Sequence, residues 1–284
     1  MASIDNQCSY IESILFRFSL KRFYLLILTG ASNGIGLEIA RKFSQNGWDV
    51  IAVARNEEKL SKAVEDLKQY GTKIIPYSID LSKYEQIETL KRKTEQDGFD
   101  IGALVINAGQ GLGGAFIGGT DLSKELELIR LNVDSYVHMS KIFLPDMIKR
   151  GGGYVLMTSS VSGTQPIPFE SIYGATKAFV NSFFWAIRNE LSGKGLKMTL
   201  LMPGATATNF FINAGQSNTR VGAHQNTTAE QVAERAWYAL MSEHEVAYGS
   251  DNAELAAEVY NRQMSESHKA QRARLNSEPG SAVK

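Results

Sequence analysis

Short apolar runs rich in β-branched residues alternate with longer amphipathic stretches along most of this 284-residue chain. The apolar runs predict strands near residues 23–29, 49–54, 73–78, 101–107, 153–159 and 196–202, with a short seventh near 245–248. The amphipathic stretches predict helices near residues 35–46, 57–70, 83–97, 121–149, 172–193 and 229–241. This alternation is typical of repeated βαβ units, because parallel neighbouring strands must be joined by a crossover.

The predicted fold class is therefore α/β, a doubly wound parallel sheet of about seven strands with helices on both faces. Since 43% of the residues are hydrophobic and no repeat or Pro-rich linker divides the chain, we expect one main domain. We place an N-terminal extension at residues 1–22, the main domain at 23–250, and a C-terminal helix with a flexible polar tail at 251–284. The disordered part of that tail is expected from about Asn276.

Charge and cysteine content exclude several classes of function. Thirty basic and thirty acidic residues cancel, so no overall field favours nucleic acid, and we expect no nucleic-acid partner. Cys8 is the only cysteine, which excludes an internal disulfide framework and indicates a reducing compartment, the cytoplasm. The four histidines lack metal-ligand spacing, so no metal is expected.

Residues 10–28 are apolar-rich and resemble a membrane span or signal peptide at first sight. They are interrupted by four charged residues, Glu12, Arg17, Lys21 and Arg22. No uncharged span of about 18 residues or clean signal core exists, so both interpretations are rejected. Residues 10–22 have helical spacing, and two alternatives stay open: an extra packed helix or frayed extension, which we favour, and a membrane-surface helix.

A glycine-rich turn follows the first predicted strand in LLILTGASNGIGLEIA. Glycine allows close backbone approach to a pyrophosphate, and the next helix offers free N–H groups and a positive dipole. The turn therefore predicts a dinucleotide phosphate site. Its candidate contacts are Gly30, Ser32, Asn33, Gly34, Ile35 and Gly36.

The second predicted strand ends in Arg55, where an NAD site would place an acidic residue against the ribose. A guanidinium can hold a 2′-phosphate through two hydrogen bonds, and Ser32 can add a hydroxyl. NADP(H) is therefore favoured as the cofactor, with NAD(H) possible. The alternative is an exposed arginine at a helix start.

Tyr173 and Lys177 lie four residues apart in SIYGATKAFVNSF, on one face of a predicted helix. An ammonium beside a phenol lowers the phenol pKa, which suits proton exchange with an alcohol or carbonyl near neutral pH. The pair alone is common by chance, so its context decides its meaning.

That context resembles the short-chain dehydrogenase/reductase family, because TGASNGIG, INAG, MTSSVSG, YGATK and PGATAT occur in the family's order over residues 23 to about 208. The resemblance implies a Rossmann-type sheet whose catalytic domain is the region 23–250. It further implies that Asp80, with Leu81, holds the adenine, and that Asn107, Ala108 and Gly109 lie beside the cofactor.

The same resemblance implies a catalytic tetrad of Asn132, Ser160, Tyr173 and Lys177. Ser160 is chosen over its neighbour because the family serine lies thirteen residues before the tyrosine. Lys177 and Tyr173 would also contact the nicotinamide ribose. The nicotinamide carboxamide is expected at Pro203, Gly204, Thr206 and Thr208.

The predicted function is an NADP(H)-dependent oxidoreductase that transfers a hydride between nicotinamide and a small carbonyl or alcohol substrate, with Tyr173 as general acid/base. The resemblance implies a homodimer or homotetramer. Two alternatives from other classes are a catalytically silent dinucleotide-binding sensor and a membrane-associated scaffold. The tetrad is intact, which argues against the sensor.

The substrate pocket is expected to draw on the loops after Gly109 and Ser160 and on residues 205–226, and to suit a neutral, partly apolar carbonyl compound. An equal alternative is that several apolar groups only close the core. The candidate lining residues are Phe116, Ile117, Ile167, Phe169, Phe210, Phe211 and Ile212, with Glu170 and Arg220 as the charged members.

Overall fold

Residues 25–283 are described by the structure, a computed structural model, and they are organised around one seven-stranded parallel sheet. In chain order the elements are β1 (Leu25–Thr29), α1 (Gly34–Gln45), β2 (Asp49–Ala54), α2 (Glu57–Leu67), β3 (Ile74–Ser78), α3 (Tyr84–Gln96), β4 (Ala103–Ile106), α4 (Leu122–Ile129), α5 (Ser135–Lys149), β5 (Gly153–Thr158), α6 (Ser171–Glu190), β6 (Leu196–Met202), β7 (Thr206–Ala207), α7 (Phe210–Asn213), α8 (Arg220–Ala223), β8 (Thr227–Thr228), α9 (Ala229–Met241), β9 (Val246–Tyr248), α10 (Asp251–Leu255), α11 (Asn261–Gln263) and α12 (Glu266–Ser277).

The sheet order is β3-β2-β1-β4-β5-β6-β9, and every pairing in it is parallel. The predicted doubly wound sheet of about seven strands is therefore confirmed. The chain leaves β1 in one direction to build β2 and β3 and returns to the other side of β1 for β4. Because loops diverge at such a switch point, a crevice forms beyond the carboxyl ends of β1 and β4.

Two hydrophobic cores cover the two faces of the sheet. On one face α1 and α9 pack together, with the Phe43 ring edge-on to Trp48 and Trp237. On the other face α5 and α6 bury Tyr136 and Phe184 completely. Both faces of the central strands are apolar because helices cover both, which is why these strands read as continuous hydrophobic runs.

The helix predicted over 121–149 is interrupted. A π-helical turn, Arg130–Asp134, separates α4 from α5. Such a turn inserts one extra residue into the helix and is common at functional sites. It carries the buried Asn132, and the apolar spacing of the sequence does not reveal it.

The disordered tail predicted from about Asn276 is also wrong for the residues described. Helix α12 extends to Ser277, and residues 281–283 form a 3₁₀ turn. The hydroxyl of Ser277 donates to the carbonyl of Pro168 at 2.6 Å, and Ser281 accepts from the amide of Arg220 at 2.9 Å. These polar residues are ordered because they satisfy backbone groups of other loops, which composition alone cannot predict.

The membrane-surface helix proposed for residues 10–22 lies outside the described residues. Within residues 25–283, no helix is long and apolar enough to cross a bilayer. Across that same range, no group of three or more His, Cys, Asp or Glu side chains is placed to hold a metal ion.

Candidate active site

A cavity of about 820 Å³ opens at the carboxyl ends of the strands. Its walls come from the loops that follow β1 to β6, together with α7 and α12. All the cofactor and catalytic residues predicted from the sequence line it except one, Asn132, which stands behind the wall. The described structure thus brings residues from seven separate segments to one crevice.

The glycine turn between β1 and α1 leaves no space for side chains. Gly30 and Gly34 have φ values of 75° and 53°, which favour glycine. A Cβ at Gly36 would lie 2.2 Å from the carbonyl oxygen of Gly30. Asn33 precedes α1 without capping it through its side chain, so the first-turn N–H groups face the cavity. This cradle fits a diphosphate, which must approach backbone N–H groups closely.

Two cationic side chains line the cavity where β2 ends. Arg55 is half exposed and forms an ion pair with Glu127 at 3.2 Å. Lys59 lines the same wall one turn into α2, and Asn56 caps that helix by accepting from the amide of Lys59 at 2.8 Å. Sequence reasoning missed Lys59 and Asn56, although their place just after Arg55 on a helix start was a usable signal.

Asp80 and Leu81 line the cavity after β3. The Asp80 carboxylate accepts hydrogen bonds from the amide of Ser82 at 3.0 Å and its hydroxyl at 2.7 Å. These bonds fix the turn and the orientation of the carboxylate. Asp80 therefore has a structural role beside the adenine-binding role that the sequence predicts.

Asn107 links three neighbouring strands through hydrogen bonds beneath the crevice. Its side-chain amide donates to the carbonyl of Thr29 at 3.1 Å, and its oxygen accepts from the hydroxyl of Thr158 at 3.1 Å. The hydroxyl of Thr29 accepts from the amides of Asn107 and Ala108 at 2.9 and 3.0 Å. This network holds β1, β4 and β5 at a fixed spacing and positions Gly109 beside Asn132 and Lys177.

Tyr173 and Lys177 extend from the first turns of α6 into the cavity and are almost fully buried. The ammonium nitrogen of Lys177 lies 5.9 Å from the centroid of the Tyr173 ring. It donates to the carbonyl of Thr158 at 3.0 Å. The lysine is therefore held beside the tyrosine by the end of β5.

The two neighbouring serines after β5 have different environments. The hydroxyl of Ser159 donates to the carbonyl of Lys177 at 3.1 Å, which secures α6 to the sheet. The hydroxyl of Ser160 lies beside the Tyr173 phenol and bonds to the carbonyl of Pro203 at 3.3 Å. Ser160 is thus the serine nearer Tyr173.

Asn132 is completely buried in the π-helical turn. Its side-chain oxygen accepts from the amide of Gln110 at 3.0 Å, and its nitrogen donates to the Gln110 carbonyl at 2.9 Å. A Cβ at Gly109 would meet both the Asn132 oxygen and the Lys177 nitrogen within 3.4 Å. Asn132 therefore supports the loop after β4 directly behind Lys177.

Burial shifts the pKa values of Tyr173 and Lys177. It raises the pKa of Tyr173 above its usual range, while the hydrogen bond with Ser160 lowers that pKa and Glu170 raises it. Burial also lowers the pKa of Lys177 to about 7. The expected lowering of the phenol pKa by an ammonium is therefore wrong for the described site, because desolvation favours the neutral form of each group.

The loop after β6 covers the glycine turn. Thr206 bonds to the carbonyl of Gly204 at 3.0 Å, which stabilises the turn that begins at Pro203. The methyl group of Thr208 would be 3.2 Å from a Cβ at Gly34. Pro203 to Thr208 therefore face α1 across the crevice, where the sequence places the nicotinamide carboxamide.

The predicted substrate wall is only partly correct. Ile167, Glu170, Phe210 and Phe211 line the cavity, with the Phe210 ring 5.3 Å from that of Tyr173. The other five predicted members lie outside the lining. Three of them, Phe116, Ile117 and Ile212, are largely exposed, and the remaining two are Phe169 and Arg220. Five further lining residues belong to the loops and the segment that the sequence indicates: Gln110, Gly111, Gln165, Asn213 and Val221. The lining residues that the sequence did not suggest are Ala273 and Ser277 of α12.

The chain is similar in sequence and structure to several known proteins. The family model for short chain dehydrogenase matches residues 25–219. Sulfoacetaldehyde reductase 2 from Chromohalobacter salexigens is 30% identical over 220 residues, which cover 75% of this chain and 87% of that protein. NADP-dependent 3-hydroxy acid dehydrogenase YdfG from Escherichia coli strain K12 is 30% identical over 220 residues, covering 75% and 88%. A solved short-chain dehydrogenase from Sphingobium yanoikuyae in complex with NADPH matches with a TM-score of 0.75 at 27% identity, covering 84% of this chain and 93% of that one.

Proposed function

This chain belongs to the short-chain dehydrogenase/reductase family, and we propose that it interconverts a carbonyl compound and its alcohol with Tyr173 as the general acid/base. It is an oxidoreductase that acts on small molecules through a nicotinamide cofactor. The proposal rests on one observation. Tyr173, Lys177 and Ser160 line the same cavity as the glycine turn.

NADP(H) is the favoured cofactor, and NAD(H) is the second candidate. The NADP dependence named for the Escherichia coli relative and the NADPH bound in the Sphingobium structure support this order. So do Arg55 and Lys59, which offer two positive charges where the adenosine ribose of a dinucleotide would lie. When bound, the nicotinamide supplies or accepts the hydride.

The protein's own residues then position the substrate and move the proton. Ser160 donates a hydrogen bond to the substrate oxygen, while Tyr173, neutral because it is buried, gives that oxygen its proton. Lys177 would hold the nicotinamide ribose and, with Asn132 behind it, returns a proton to the phenolate. The reverse direction uses the same groups.

The experiment combines cofactor binding with turnover. NADPH and NADH binding would be measured by fluorescence, and NADPH oxidation by absorbance against a panel of aldehydes and ketones. Tyr173→Phe removes only the phenol oxygen, so we expect cofactor binding to persist while kcat falls by about 10²–10⁴. Tyr154→Phe is the matched control, because that ring packs on Trp48 in the core.

Loss of activity in Tyr173→Phe with normal cofactor binding would support the enzyme and its proton donor. Full activity in this variant would refute the assignment of Tyr173. If neither cofactor binds the wild-type protein, the nicotinamide-dependent function is wrong.

A homodimer or homotetramer is part of the proposal. Two aromatic side chains on α6, Phe179 and Trp185, are exposed by 39% and 41%. Exposed aromatic groups on one helix are a common feature of subunit interfaces. Size-exclusion chromatography with light scattering would test this, since a monomer at micromolar concentration would contradict it.

Two further assignments remain proposals. A cytoplasmic location rests on the single cysteine, which indicates a reducing compartment. The division into an extension at 1–22, a catalytic domain at 23–250 and a C-terminal region at 251–284 rests on the pattern of the sequence. Limited proteolysis with mass spectrometry would locate the real boundaries.

A further inference from the structure

One acidic side chain lines the cavity on the side of the substrate. Five ionisable acids and bases other than tyrosine lie among the lining residues: Arg55, Lys59, Asp80, Glu170 and Lys177. The first three follow β2 and β3, at one end of the crevice, and Lys177 lies at its centre. Glu170 is therefore the charge that a substrate approaching Tyr173 would meet.

Glu170 is only 5% exposed and precedes α6 by one residue. It lies three residues before Tyr173, so both side chains are on the same side of the helix start. Both side chains line the same cavity, and the charge of Glu170 raises the pKa of Tyr173. Among the described residues no cation pairs with Glu170, which leaves a buried carboxyl with spare hydrogen-bonding capacity.

Gln216 is beside this carboxyl and is 1% exposed. Its amide interacts with the Glu170 carboxyl and lowers the pKa of that group, and no other described group bonds to the Gln216 side chain. A buried amide is usually fully hydrogen-bonded, so this one is suited to hold the carboxyl in place. Gln216 does not line the cavity itself, so it would act on a ligand through Glu170.

The backbone fixes Glu170 in this position. Phe169, just before it, has a φ of 63°, an uncommon conformation for a residue with a side chain. The Phe169 carbonyl accepts from the amide of Gly114 at 2.8 Å, and the Pro168 carbonyl accepts from Ser277. Segments from three parts of the chain thus hold the carboxyl against the cavity.

We propose that Glu170, assisted by Gln216, is a specificity-determining residue that selects carbonyl substrates bearing a neutral hydroxyl group and rejects those bearing a carboxylate at the same place. This inference rests on the proposed function and names its substrate class. A hydroxyl can accept from a protonated carboxyl or donate to an ionised one, so it is compatible with both states of Glu170. Burial raises the pKa of Glu170 to about 7, so the rejection of a substrate carboxylate is strongest above neutral pH, where Glu170 carries a like charge.

The test uses three methyl ketones that differ only at the far end: acetopropyl alcohol, levulinate and methyl propyl ketone. NADPH oxidation at about pH 8, where Glu170 is mostly ionised, gives kcat/KM for each. The wild-type enzyme should prefer acetopropyl alcohol to levulinate by roughly a hundredfold, because like charges in a buried site repel strongly.

Glu170→Gln keeps the shape of the side chain and removes its charge. The ratio of acetopropyl alcohol to levulinate should fall by about tenfold or more, mainly through a gain with levulinate. Glu125→Gln is the matched control, since Glu125 is also buried but bonds to Thr120 at 2.5 Å and lies outside the cavity. Its ratio should equal that of the wild type.

Gln216→Met keeps the side-chain volume and removes the amide, which gives a second route if Glu170→Gln folds poorly. The preference for acetopropyl alcohol over methyl propyl ketone should fall about threefold to tenfold. An unchanged ratio in folded Glu170→Gln overturns the specificity role and leaves the oxidoreductase function intact. Absence of NADPH oxidation with acetopropyl alcohol overturns the specificity role alone if another carbonyl compound is reduced, whereas absence of cofactor binding overturns the proposed function as well.

Discussion

The two sides of the crevice are built in different ways. The cofactor side, formed by residues 29–36, 54–59, 79–81 and 107–109, consists of loops that each follow a strand of the same sheet. The substrate side, formed mainly by residues 165–170, 209–221 and 273–277, consists of segments held by hydrogen bonds from distant parts of the chain. In this wall the carbonyl of Ala214 accepts from the amide of Gly113, and that of Asn218 accepts from the amide of Ala282.

Because of this difference, the residues that determine how the cofactor binds are not the residues that determine which substrate binds. On the cofactor side, strand spacing and the hydrogen bonds of Asn107 determine where each loop begins, so a change there disturbs the sheet. On the substrate side, single hydrogen bonds between distant segments set the shape of the wall. Substitutions on that side should alter specificity with little effect on cofactor binding.

The strongest test of the cofactor side is Gly36→Ala. The added methyl would lie 2.2 Å from the backbone oxygen of Gly30, so the start of α1 must move. We expect the free energy of unfolding to fall by about 3 kcal/mol and NADPH binding to become undetectable. Denaturant unfolding and fluorescence titration measure the two effects.

Gly174→Ala is the control for that change, because the nearest atom to its added methyl is an ordinary contact at 3.6 Å. Its unfolding free energy should stay near the wild-type value. Normal NADPH affinity in Gly36→Ala would show that the glycine turn does not cradle the diphosphate.

A second prediction concerns pH and the substrate side. The pKa of Glu170 in the folded protein, about 7, is above the ordinary value of 4.5. The folded state therefore binds this proton more tightly, and stability is lost as the pH rises from about 4.5 through 7. Glu170→Gln should become more stable than the wild type over that interval, by up to about 3 kcal/mol above pH 7.

The measurement is the unfolding free energy of both proteins as a function of pH. Lys177 has its pKa lowered to about 7, so it adds stability as the pH rises above 7 in both proteins, and this contribution cancels in the difference. A difference that does not vary with pH would mean that folding does not shift the pKa of Glu170.

A third prediction tests whether cofactor binding on one side of the crevice is independent of substrate binding on the other. Arg55→Ala should weaken NADPH binding by roughly thirtyfold while NADH binding stays the same, because a charge-assisted bond to the 2′-phosphate is lost. Lys62→Ala, at an exposed position on the helix α2 that follows Arg55 and paired with Glu58, should change neither affinity. A change of KM for the carbonyl substrate in Arg55→Ala would break the separation between the two sides.

The smallest expected effect is that of Ser277→Ala, which removes the hydrogen bond to Pro168. The bond is worth about 1 kcal/mol, so KM for the carbonyl substrate should rise about threefold to tenfold, with an unchanged NADPH affinity. Ser44→Ala is the control. It removes a buried hydroxyl that has no partner among the described residues, so KM should not change. Equal KM values for both variants would contradict a role of α12 in the substrate wall.

The same contrast explains what could be predicted from the sequence. Gly36 and Arg55 could be chosen because a turn after a strand has a local signature. Gln216 and Ser277 could not, because their roles depend on loops that are far away in the chain. The π-helical turn at Asn132 was also hidden, since an extra residue in a helix leaves no clear trace in apolar spacing.

The bond between Ser277 and Pro168 joins residues 109 positions apart, and this has a consequence during synthesis on the ribosome. At about 5–20 residues per second, Ser277 is made roughly 5–20 s after Pro168. The nascent chain therefore contains the complete dinucleotide cradle well before the last part of the substrate wall exists. Cofactor captured at that stage would be bound by a protein that cannot yet distinguish its substrates.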